Sequence, residues 1–112
     1  MIEAICDCGA VRLEIAEPPQ SVLECGCTIC RKLGTLWAYY SPSQVKLIPK
    51  SGATTIYLRG EREIEFHSCA TCGCTTHWAA VDRSYDRMGV NARLMAPAVL
   101  AAAHLVKSAG PA

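Results

Sequence analysis

Cys69-Ala70-Thr71-Cys72-Gly73 carries two thiols on a loop short enough to turn them toward one ion, with a glycine just after the second. A tetrahedral zinc accepts sulfur at ~2.3 Å, and a C-x-x-C turn is the usual way for a chain to present two thiolates to it. Gly73 supplies the positive φ that such a turn needs. Near the other end, Cys6-Asp7-Cys8-Gly9 offers a second pair. In a regular strand residues two apart share a face but stand well separated, so Cys6 and Cys8 can reach one ion only if the strand breaks, and Gly9 is placed to break it. Joined, Cys6, Cys8, Cys69 and Cys72 make a complete four-thiolate site that links the two ends of the β region.

Between these pairs the chain reads as short strands. Val11 to Ile15, Val45 to Ile48, Thr55 to Leu58 and Ile64 to His67 alternate in side-chain type, while Leu36 to Tyr40 and His77 to Val81 are more continuously apolar or aromatic. Pro18-Pro19, Ser41-Pro42-Ser43, Pro49-Lys50-Ser51-Gly52 and Arg59-Gly60-Glu61 punctuate them. The pattern predicts a mainly β domain of antiparallel sheets. Thr28 to Leu33 is predicted as a short helix ending at Gly34. Pro97 to Lys107 is predicted as a C-terminal helix, with proline at its start, an alanine-rich body, and Gly110 and Pro111 beyond it.

The chain has 112 residues, which suits one domain over 1–112. It carries 51% hydrophobic residues and a net charge of +1, and lacks an apolar run of the ~20 residues a membrane helix requires. Neither a membrane nor a nucleic-acid partner is expected: Arg59, Arg62, Arg83 and Arg87 are interleaved with Glu61, Glu63, Glu65, Asp82 and Asp86, a balanced surface without a basic stripe. Eight cysteines admit either disulfides or metal. The start, Met1-Ile2-Glu3-Ala4-Ile5, lacks a basic region followed by an apolar one, so a cytoplasmic, reducing location and metal are expected.

The middle cluster, Cys25-Gly26-Cys27-Thr28-Ile29-Cys30, bears on function. Its three thiols hold an ion with one position open, as catalytic zinc does, or with that position closed by Cys74, His67 or His77. Three thiolates outweigh the charge of Zn²⁺, so the centre acidifies water poorly and suits capture of an incoming thiol better than hydrolysis. Arg31 and Lys32 follow directly, either to offset that charge and pair with a carboxylate-bearing thiol or as solvated side chains. Trp37, Tyr39, Tyr40 and Trp78 supply aromatic mass for a core or for the wall of a pocket.

With these residues assembled, the chain resembles the family of glutathione-dependent formaldehyde-activating enzymes, also called the CENP-V/GFA domain. The resemblance spans about residues 5–94 and rests on three motifs in order: Cys6-Asp7-Cys8-Gly9-Ala10-Val11-Arg12, then Cys25-Gly26-Cys27-Thr28-Ile29-Cys30-Arg31-Lys32, then Cys69-Ala70-Thr71-Cys72-Gly73. It implies an Mss4-like fold, a structural zinc at Cys6, Cys8, Cys69 and Cys72, and a labile catalytic zinc at Cys25, Cys27 and Cys30. It also implies condensation of formaldehyde with glutathione, formally a carbon–sulfur lyase reaction. Gly26 and Cys74 depart from the family's pattern, which often has histidine at the first and a small or hydroxyl residue at the second. The competing expectation is a non-catalytic module in which both metal sites are structural and a surface recognises a protein.

Overall fold

The computed structural model describes residues 1–109. Two sheets share one core. The smaller places β2 (Arg12–Ile15) between β1 (Ile2–Ile5) and β5 (Val45–Ile48), all antiparallel, with Ile2 opposite Ile15 and Arg12 opposite Ile48. The larger has seven strands. From one edge to the other they are β10 (His104–Ser108), β3 (Ser21–Cys25), β4 (Trp37–Tyr40), β9 (Met88–Asn91), β8 (Thr75–Ala80), β7 (Ile64–Cys69) and β6 (Thr54–Leu58).

Alternation along the strands divides the larger sheet into two working faces. Ala38 and Tyr40 of β4 and Met88 and Val90 of β9 point inward, where they pack with Ala4, Leu13 and Ile15 of the small sheet. Trp37, Trp78 and Cys30 form a second cluster on the opposite face, with Tyr39 and Phe66 packed against it. Leu13, Ile15 and Val90 are fully buried, so the first cluster is the main source of hydrophobic stabilisation.

The expected mainly β architecture is present, and the C-terminal segment departs from expectation. The predicted C-terminal helix over Pro97 to Lys107 is only α2 (Pro97–Ala102); His104–Ser108 is β10. Alanine favours the helix locally, but Leu105 and Val106 gain five residues of register on β3, from His104 opposite Ser21 to Ser108 opposite Cys25, and that pairing overrides propensity. It is also parallel, in a sheet otherwise antiparallel. Gly110 and Pro111, read as the helix's terminators, lie outside the described residues. The short helix, α1 (Thr28–Leu33), has the predicted limits, and Gly34 ends it at φ 71°, its N–H bonded to the Cys30 carbonyl.

Two thiol clusters and an aromatic cleft

Cys6 and Cys8 follow the end of β1, where the chain turns at Gly9 with φ 80°, while Cys69 closes β7 and Cys72 follows on the turn before Gly73, φ 83°. The four sulfurs come within 4.8 Å of one another. Cys6 to Cys8 measures 3.8 Å and Cys8 to Cys69 3.6 Å. Sulfurs at the corners of a tetrahedron around zinc, with bonds of ~2.3 Å, stand ~3.8 Å apart, and these two separations match that spacing. Backbone amides support them: Val11 N–H donates to Cys6 Sγ at 3.3 Å and Thr71 N–H to Cys69 Sγ at 3.4 Å. Amides of Cys74 and Cys8 pull the Cys72 thiol down to about 6. Amides of Cys72 and Thr71 also lower Cys69. Cys8 moves the other way, to about 12: the Ala10 amide lowers it, but burial and the thiols around it outweigh that amide. Amide donors on sulfur favour negative charge, which suits a thiolate cluster.

The second group is built by β3 and α1. Cys25 ends β3, Cys27 is the N-cap of α1, and Cys30 lies on its first turn, where Arg31 N–H bonds the Cys27 carbonyl at 3.0 Å. These three sulfurs also lie within 4.8 Å of one another. The indole N–H of buried Trp37 donates to Cys30 Sγ at 3.3 Å. Burial pushes the Cys30 thiol up to about 12 in spite of that bond. Cys27 is lowered: burial opposes ionisation, but the amides of Cys30 and Ile29 and the neighbouring thiols prevail.

None of the candidate fourth ligands joins this trio among the described residues. Cys74 is half-buried beside Cys72, near the first cluster, and its thiol is raised: the Asp7 amide lowers it, but Cys72 and burial outweigh that. His67 and His77 point to the inner face of the large sheet, stacked 4.2 Å apart. Gly26 has no side chain to offer, and none would fit there. A Cβ at that position would meet the Ser108 carbonyl oxygen at 2.9 Å and Ala109 Cα at 3.3 Å, because β10 runs past it and accepts the Gly26 N–H at 2.6 Å.

The trio opens into a cleft of about 750 Å³. Trp37, Tyr39, Phe66 and Trp78 wall it, and Arg59, Glu61 and Glu63, from the turn joining β6 to β7, form its rim. Trp37, Tyr39 and Trp78 thus serve as pocket wall, whereas Tyr40 faces the main core and donates its hydroxyl to the Glu17 carbonyl at 3.1 Å. Arg31 and Lys32 are exposed on the last turn of α1 and do not line the cleft. The rim residues went unrecognised in the sequence because Arg59-Gly60-Glu61 signals only a turn; that the turn overhangs the thiols follows from strand pairing. Gly89 provides the space for one wall: a Cβ there would lie 2.0 Å from Trp78 Nε1.

A crystal structure of a protein from Rhodobacter sphaeroides, a structural-genomics target, is similar at 26% identity and a TM-score of 0.75, over 94% of this chain and 100% of that one. The family model described as glutathione-dependent formaldehyde-activating enzyme matches residues 1–105, a span that includes both thiol groups and every wall of the cleft, and the chain belongs to that family.

Proposed function

We propose that this protein condenses a small thiol, glutathione in the family's name, with an aldehyde, formaldehyde in that name, using zinc at Cys25, Cys27 and Cys30 and a second, structural zinc at Cys6, Cys8, Cys69 and Cys72. The observation that carries the reading is the contrast between the two groups. Four thiols with tetrahedral spacing complete one set of ligands, while three thiols without a fourth ligand among the described residues face a cleft large enough for a small substrate.

When bound at the trio, zinc supplies positive charge that favours the thiolate form of an incoming thiol. The chain's own contributions surround that point. Trp37 holds Cys30 by its indole N–H, the amides behind Cys27 favour a charged sulfur, and Phe66 and Trp78 keep water from one side of the reacting atoms. The substrate sulfur bonds the aldehyde carbon, the carbonyl π bond breaks, and the oxygen gains a proton in place of the one the thiol lost. The reverse is a carbon–sulfur bond cleavage. All eight cysteines are unbridged, which suits a reducing, cytoplasmic setting, and no helix among the described residues is long and apolar enough to cross a membrane.

Metal stoichiometry and a thiol titration test this. Wild type is expected to bind two zinc ions. Cys27→Ser should lose one and stay folded, while Cys72→Ser should lose the fold, because structural zinc contributes an apparent ~10–16 kcal/mol in small domains, comparable to the whole stability. The cobalt-substituted protein should change its visible spectrum on adding glutathione. A spectrum that ignores thiols would refute the enzyme reading and favour the interaction module.

A further inference from the structure

Addition of sulfur to a carbonyl leaves a developing negative oxygen, and a group positioned to protonate it accelerates the step. Among the cleft's lining residues, few can do so. Arg59, Glu61 and Glu63 stand at the rim, on the turn joining β6 to β7, and the indole N–H of Trp37 already serves Cys30. Among the described residues that line the cleft, Tyr39 alone carries a hydroxyl.

Tyr39 follows Trp37 by two residues on β4 and therefore shares its face. Its ring is fixed by two neighbours. The Trp78 ring meets it edge-on at 6.1 Å and 63°, and the Arg87 guanidinium lies over it, 4.1 Å from the centroid. The rest of the Arg87 loop is itself held, by Arg83 on Glu65 at 3.0 Å and by the Ser41 hydroxyl on Asp86. Among the described residues no group hydrogen-bonds the Tyr39 hydroxyl. Tyr40, facing the other way, spends its own on Glu17. Tyr39 is thus a rigid ring with an uncommitted donor. Tyr39 lines the same cleft as Cys25, Cys27 and Cys30, so a carbonyl carbon meeting a sulfur beside the thiols has its oxygen within that shared space. Burial raises the phenol, with Arg87 opposing that rise.

We infer that the Tyr39 hydroxyl protonates the aldehyde oxygen as the thiol sulfur adds to the carbonyl carbon, with Arg87 holding the ring in place. This rests on the proposed condensation. The C–S bond forms, the carbonyl π pair takes the Tyr39 proton, and the tyrosinate recovers from solvent the proton that the thiol released. Exchange NMR with [13C]formaldehyde and glutathione reads the rate, and the cobalt spectrum reads thiol entry. Tyr39→Phe should lower the catalysed rate about 100-fold, with metal content and glutathione half-saturation unchanged. Ring-fluorinated tyrosine at position 39 should change the rate in step with the acidity of the phenol. A Tyr39→Phe rate equal to wild type overturns the inference while leaving the condensation standing. So does a rate loss matched by an equal loss of thiol binding, which would make Tyr39 a binding residue. A wild-type protein that binds glutathione but never accelerates the exchange overturns both.

Discussion

Replacing Trp37 with phenylalanine keeps an aromatic ring on the cleft wall and deletes one hydrogen bond, the 3.3 Å indole N–H donation to Cys30 Sγ. That bond reaches a sulfur that must be anionic to hold metal, and hydrogen bonds to charged groups contribute about 1.5–3 kcal/mol. At 1.4 kcal/mol per decade, the ion at Cys25, Cys27 and Cys30 should bind about 10- to 100-fold more weakly, the range typical of lost outer-shell partners. The direction with pH follows from the same contact. Burial raises the Cys30 thiol to about 12 and the indole N–H opposes that rise, so without it the proton competes harder with metal and the ion leaves at higher pH than in wild type. Titration with a chromogenic chelator resolves the two ions. Trp37 is buried, so the smaller ring also leaves a cavity and lowers global stability; the four-thiol site in the same molecule serves as the internal reference. Selective weakening of one ion is the expected result. Equal affinity for both ions, or their loss in parallel, would refute the role assigned to the indole.

Two further substitutions probe the packing behind the site. Gly89→Ala puts a methyl group 2.0 Å from Trp78 Nε1 and 2.5 Å from its Cδ1, so the indole must shift by roughly 1 Å or more; overpacking of this kind costs about 1–3 kcal/mol. Urea unfolding and tryptophan emission should both report it, and wild-type stability would contradict the close approach. His77 is depressed to about 3, by burial first and then by His67 and Arg83. The unfolded chain, with an ordinary value of ~6.5, therefore binds the extra proton between those limits, and His77 makes stability fall as pH drops from about 6.5 toward 3, at up to ~1.4 kcal/mol per pH unit. Glutamine at 77 should remove about one proton from the slope of unfolding free energy against pH; an unchanged slope would mean that His77 is not buried neutral.

The thiol groups able to hold a metal were legible in the sequence because chelating spacing is local: Cys69-Ala70-Thr71-Cys72 and Cys25-Gly26-Cys27-Thr28-Ile29-Cys30 each lie within six residues or fewer. α1 was legible for the same reason, a capped turn stopped by Gly34. What failed was decided at a distance. β9, Met88-Gly89-Val90-Asn91, is buried on both faces and carries a glycine, so it shows neither alternation nor a strand-forming composition. β10 reads as helix until β3 is beside it. That misreading also hid the reason for Gly26, since only the strand at Ser108 and Ala109 denies position 26 a side chain.

The strands of the large sheet divide the remaining work by parity. Along β4, Trp37 and Tyr39 face the cleft while Ala38 and Tyr40 face the core; along β7, Phe66 lies on the cleft side and His67 on the other; along β8, Trp78 and His77 part in the same way. A pleated strand cannot move one face without the other, so the small sheet that buries the inner face also fixes the aromatic walls of the outer one. Substitutions at 37, 39 and 78 should then act first on ion affinity or rate, and those at 38, 40 and 77 first on unfolding. A register shift of one residue in β4 would exchange the two sets, burying Tyr39 in the core and withdrawing Trp37 from Cys30. The thiol trio therefore depends on the main core for its shape although it belongs to the cluster on the opposite face.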